Sequence, residues 1–77
     1  MTLNYYKKEY SEKQWKALID EAINLGCSVR YSIYGNIAEI DSTALEDRLV
    51  AGNNAIGLAR LEWAQHIHSM LLLATDL

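Results

Sequence analysis

Cys27-Ser28-Val29-Arg30-Tyr31-Ser32-Ile33-Tyr34-Gly35-Asn36-Ile37-Ala38-Glu39-Ile40-Asp41 reads as a β-hairpin. Gly35-Asn36 is a two-residue loop of the type that closes tight hairpins, with Gly supplying the positive φ at the first position. Closure there sets Tyr34 opposite Ile37, Ser32 opposite Glu39 and Arg30 opposite Asp41. On the other face Ile33 meets Ala38 and Tyr31 meets Ile40. One face is then apolar and the other pairs opposite charges, each cross-strand pair contributing roughly 0.2–1 kcal/mol. A one-residue slip would move both sets to the wrong faces.

Upstream of the hairpin, Tyr10-Ser11-Glu12-Lys13-Gln14-Trp15 is a helix start. Ser11 can cap, Gln14 can complete a capping box, and Tyr10 and Trp15 stand where a hydrophobic staple places them. Trp15, Leu18, Ile19, Ala22 and Ile23 form one apolar face, and Gly26 stops the helix. Residues 2–6 are mixed and aromatic and fit a short edge strand. Downstream, Thr43-Ala44-Leu45-Glu46 offers a second capping box and a short helix to about Ala51. Gly52-Asn53-Asn54 breaks the pattern. Asn54 can cap a third helix to about Leu73, roughly 30 Å long. Its polar stripe, Glu62, Gln65, His66 and Ser69, is narrow, so it is either central in the core or in contact with another chain. The expected order is (β)-α-β-β-α-α, a small two-layer α+β domain with the Val29/Tyr31/Ile33/Ile40 face packed on helices.

The 77 residues make a single domain, 1–77. A chain this short buries only about 60% of its unfolded surface. Half of the residues are apolar, which supports a core and argues against disorder. No run approaches the roughly 20 apolar residues of a membrane span, and Met1-Thr2-Leu3-Asn4-Tyr5 lacks the apolar run of a signal peptide. A cytoplasmic protein is expected. Cys27 is the single cysteine, so no internal disulfide forms. The net charge of −3 is uneven. Residues 1–16 hold four lysines against two glutamates, and the remainder holds three arginines against eight acids. That balance lacks the basic excess of a duplex-binding domain and falls short of a strongly acidic nucleic-acid mimic.

Chemistry is sparse in the pattern. His66 and His68, two apart on a helix, point about 200° away from each other and cannot chelate one ion. Glu62 and His66 could share a metal, but two ligands do not make a site. Cys27 falls in line with Val29 and Tyr31 and has no base beside it. No Gly-x-Ser-x-Gly, phosphate loop or dinucleotide fingerprint occurs. No enzyme, metal or cofactor is expected.

The expected function is therefore exerted by a surface: a non-enzymatic protein-binding module acting as inhibitor or adaptor of a larger protein or complex. In size and build such a domain resembles the small anti-defence inhibitors of phages and mobile elements, anti-CRISPR proteins among them. Two contact surfaces are expected. One is the hairpin tip with Tyr34 and Ile37. The other is an acidic group of Asp20, Glu21, Glu46 and Asp47, suited to a basic channel on a partner. Two alternatives stand beside this reading. Tyr5, Tyr6, Lys7 and Lys8 interleave aromatic and basic groups and could bind nucleic acid. Trp63, Ile67 and Met70 could form the seam of a homodimer.

Overall fold

The computed structural model describes residues 1–52 and 57–76. Its elements run β1 (Thr2–Tyr6), one 3₁₀ turn (Lys7–Glu9), α1 (Glu12–Leu25), β2 (Ser28–Tyr31), β3 (Ile37–Asp41), α2 (Thr43–Gly52) and α3 (Arg60–Ala74). The protein is a small α+β domain with a three-stranded antiparallel sheet in the order β1-β3-β2. The edge strand expected at residues 2–6 is present and pairs with β3, which makes β3 the centre of the sheet.

Alternation sorts the sheet into two faces. Tyr5, Ala38 and Ile40 are buried, and Val29 is partly buried behind them. Tyr31 and Tyr5 flank Ala38 in one row, and Val29 and Leu3 flank Ile40 in the next. The small Ala38 leaves room between two tyrosines. The opposite face carries Thr2, Asn4, Tyr6, Arg30 and Glu39, all exposed. Helices therefore cover one face only. Trp15, Leu18, Ile19 and Ala22 of α1 join Ile67 and Leu71 of α3 over the buried sheet residues.

α1 starts and stops as its sequence dictates. Ser11 accepts from the Gln14 N–H, and the Gln14 side chain accepts from the Ser11 N–H. Tyr10 and Trp15 rings lie 6.0 Å apart. Gly26, at φ 92°, ends the helix, with its own N–H on Ile23 and the Cys27 N–H on Ala22. The Arg48 guanidinium of α2 lies against Gly26, so close that a Cβ there would sit 2.6 Å from it. A cation at the negative end of α1 is electrostatically favourable.

Three expectations are corrected. The hairpin is closed by a four-residue loop, 33–36, and the pairs are Arg30 with Glu39, Tyr31 with Ala38 and Val29 with Ile40. The shift is two residues, so it conserves the faces while changing every partner. The Ser32 hydroxyl bonds Asn36 and Ile37 across this loop. α2 is capped one residue earlier than expected. The Ser42 carbonyl accepts from the Glu46 N–H, and the Asp41 carboxylate accepts from the N–H and hydroxyl of Thr43. Those two bonds from Thr43, first the hydroxyl's and then the N–H's, hold the Asp41 carboxyl below the usual carboxylate range. α3 begins at Arg60 and spans about 22 Å. The cap expected at Asn54 lies outside the described residues. Among the described residues, no helix is long and apolar enough to cross a membrane.

Candidate functional site

The hairpin tip is built from Ser32 outward. The Ser32 N–H donates to the Ile37 carbonyl at 2.9 Å, and its own carbonyl accepts from Gly35 at 2.9 Å. Its hydroxyl donates to the Asn36 side-chain oxygen at 2.7 Å and accepts from the Ile37 N–H at 3.2 Å. Gly35, at φ 70°, makes the reversal that a side chain would resist. The Asn36 carbonyl takes the Lys7 N–H at 2.9 Å, tying the loop to the end of β1.

This fixed loop presents apolar side chains to solvent. Ile33 is 91% exposed and Tyr34 87%. Tyr31 and Tyr6, at the same end of the sheet, are about half exposed. Beside the loop, Tyr6, Lys8, Asn36 and Ile37 line an open cleft of about 260 Å³. The end of the sheet thus combines a convex apolar tip with a neighbouring hollow. Tyr34 stands where the sequence placed it, exposed. Ile37 is half-buried and forms a wall of the cleft. Ile33, expected on the apolar face against Ala38, is instead the most exposed large apolar side chain among the described residues. Only the loop length separates the two readings, and a serine able to close a four-residue loop was the available signal.

The expected acidic group lacks Glu46 at the surface. Glu46 is 1% exposed and turned inward. Asp47 stays at the surface, 2.6 Å from the Arg60 guanidinium. Asp20 is exposed and Glu21 half-buried on α1. Of the expected dimer seam, Ile67 is fully buried in the protein's own core, and Trp63 and Met70 are half-buried. Their helix packs on α1 and α2, while Leu61, Leu72 and Leu73 of the same helix stay exposed. Of the expected nucleic-acid arm, Tyr6, Lys7 and Lys8 are exposed, but Tyr5 is buried and cannot stack on a base.

Glu46 and Tyr5 belong to a second feature, a buried polar chain that runs from Tyr5 of β1 to Ser42 and Glu46 beyond the Asp41 end of β3. The Tyr5 hydroxyl lies 2.6 Å from His68 Nδ1. His68 Nε2 lies 3.3 Å from Ser42 Oγ. Ser42 Oγ bonds Glu46 Oε2, and the Met1 carbonyl lies 3.0 Å from the same hydroxyl. Glu46 Oε2 is 2.5 Å from the Met1 α-amino group. Burial pushes the Tyr5 hydroxyl up to about 12, with the Coulomb effects of Tyr10 and Cys27 adding to it. Burial would raise the Glu46 carboxyl, but the bonds from the α-amino group and Ser42 and the amine's charge outweigh it and leave the carboxyl lowered. Tyr5, Ser42, Glu46 and His68 are buried, while the Met1 amine is partly exposed at an open cleft of about 400 Å³ lined by Met1, Glu46, Arg60, Leu61 and Ala64. Ala64, Ile67, His68, Leu71 and Thr75 form one buried helical stripe. That spacing marks His68 as inward-facing from sequence. Its partners, on β1 and before α2, carry no such mark.

His66 is exposed, with its ring edge-on to Trp63 at 5.9 Å. Among the described residues, no three His, Cys, Asp or Glu side chains gather as a metal site. Cys27 is buried, and burial, followed by the nearby Asp41 and Glu46 charges, pushes its thiol up. No family model, curated protein or solved structure matches this chain.

Proposed function

We propose that this protein is a non-enzymatic binding module that occupies a site on a larger protein or complex through its hairpin tip, acting as an inhibitor or adaptor. The single observation that carries this reading is Ile33-Tyr34, two large apolar side chains held almost wholly in water by a hydrogen-bonded loop. Exposed aromatic and aliphatic anchors on a rigid element are the usual centre of a protein interface. A pre-ordered loop also reduces the entropy lost on binding. The cleft beside it receives a side chain of the partner, with Lys8 at the rim favouring an acidic neighbour.

The test is capture from cell lysate after nuclease treatment, comparing the native protein with Tyr34→Ala and Ile33→Ser. The expected result is one large protein or complex retained by the native protein and lost by both variants, whose melting temperatures are unchanged. Equal retention by the variants removes the tip. Loss of all partners on nuclease treatment transfers the reading to nucleic acid bound through Tyr6, Lys7 and Lys8, which are exposed at the same end of the sheet. Inhibition of a phage-defence complex, as by anti-CRISPR proteins, would be one instance of the first outcome.

A further inference from the structure

The buried chain from Tyr5 to Glu46 has a direction that hydrogen counting fixes. Ser42 has one hydroxyl hydrogen and three polar neighbours: the Met1 carbonyl, Glu46 Oε2 and His68 Nε2. The carbonyl can only accept, and a carboxylate bound to an ammonium group accepts as well. The Ser42 hydrogen therefore goes to one of these oxygens. Nothing is left for His68, so Nε2 must carry a hydrogen, directed to Ser42 Oγ and the neighbouring Met1 carbonyl. Nδ1 of the neutral ring is then bare, and the Tyr5 hydroxyl donates to it. The order runs Tyr5 O–H to Nδ1, Nε2–H to Ser42 Oγ, and Ser42 O–H to the Met1 carbonyl or Glu46.

We propose that this one-way chain makes His68 an acid-weakened latch, its neutral ring fastening α3 to β1 through Tyr5 and to the start of α2 through Ser42. A proton arriving from solvent binds at Nδ1, the one free lone pair of the ring. It then faces the Tyr5 O–H, donor against donor. Tyr5 must turn its own hydrogen away into the core and accept from Nδ1–H instead, so the bond from β1 to α3 is kept only by holding a charged ring in the core. The surroundings do not favour the imidazolium. From β1 the ring meets Tyr5, and the Met1 α-amino charge opposes a second positive charge. From α2 the Glu46 carboxylate attracts it, but through Ser42, and Glu46 is already paired with that amine. Asp41 lies 4.0 Å from the same amine. α1 adds only Trp15, Leu18, Ile19 and Ala22 to this core, none of them charged. Burial lowers the His68 ring below its ordinary 6.5 and outweighs the Met1 carbonyl, which raises it; the amine's charge then lowers it and Glu46 raises it by less.

The sign follows. A base lowered by folding takes up its proton first in the unfolded chain, so stability is complete above 6.5 and falls as pH drops below it. Two measurements test the latch. Long-range ¹H–¹⁵N spectra at pH 7.5 should show His68 as the Nε2–H tautomer. Melting temperature should fall by about 4 °C or more between pH 7 and pH 5 in the native protein, and by less than half of that in His68→Gln. His66→Gln, at an exposed ring on the same helix, should keep the native slope. An Nδ1–H tautomer, or equal slopes in the native protein and His68→Gln, overturns the proposal. If His68→Gln does not fold, the native ring's own titration decides, because a midpoint at or above 6.5 is incompatible with the latch.

Discussion

Toward the Asp41 end of its sheet the protein buries a carboxylate, an imidazole and the Ser42 hydroxyl, linked to the buried Tyr5 of β1; at the Ile37 end it leaves Ile33 and Tyr34 in water. Both arrangements run against the common partition of residues, and their energetics differ. A buried polar group is costly only when unpaired. Here Tyr5, His68, Ser42 and Glu46 are each paired, so the chain's contribution is to hold three elements in one arrangement. An exposed apolar side chain forgoes about 1.5–3 kcal/mol that burial would give. Nothing at the tip offsets that within the domain, while Ser32 and Gly35 keep it presented. The buried end serves folding, and the exposed end is free to serve binding.

The comparison breaks most forcefully at Glu46. Replacement by Ala leaves the Met1 amine without its closest acceptor and Ser42 without one of its two. A loss of about 3 kcal/mol is expected by chemical denaturation, at the low end for breaking a buried pair because the amine is partly exposed. If Glu46 were a surface contact, stability would hold and only binding would fall. Tyr5→Phe is milder. It keeps the buried ring and strands the His68 Nδ1 lone pair, for roughly 1–2 kcal/mol. Carboxyl titration adds a second acid step. Glu46 is lowered from 4.5, so its contribution is present above that value and disappears as pH falls further. Glu46→Ala should lack this step in a pH series of melting curves.

Local signals were the legible ones. The Ser11–Gln14 capping box, the Tyr10–Trp15 staple and the Gly26 stop lie within a few residues of what they act on, and each stands as read. The α+β class and the two faces of the hairpin followed from alternation, which survives a two-residue shift. Loop length did not follow, because Gly35-Asn36 fits a two-residue turn as well as the second half of a four-residue loop. Long-range partners were illegible for a different reason. Tyr5 reads as an arm residue until β1 is paired with β3, and Glu46 reads as a helix-cap acid until the Met1 amine is placed beside it. Of the candidate site, the position of the tip and Tyr34 were legible. Ile33 was not, since its exposure depends on where the ladder stops.

Ser32→Ala sharpens the exposed side of the comparison. It removes the hydroxyl bonds to Asn36 and Ile37 and should cost about 1 kcal/mol, because both are near the surface. Binding should weaken although no contact atom is lost, since a loosened loop must be re-ordered on docking. A loss of affinity larger than the loss of stability would assign Ser32 to presentation of the tip; parallel losses would make it an ordinary turn residue.

Tyr34→Ala is expected to have the smallest effect on folding and the clearest effect on binding. At 87% exposure the ring buries little, so stability should move by less than about 0.5 kcal/mol. A rise in stability is compatible, because removing an apolar ring from water has no native-state cost. The informative failure is a large destabilisation. It would mean that Tyr34 packs against the domain in solution, that the tip is folded back rather than presented, and that the contrast between the two ends of the sheet does not describe the free protein. With stability unchanged and the captured partner lost, the contrast stands, and the apolar surface left in water at Ile33-Tyr34 is the surface the partner covers.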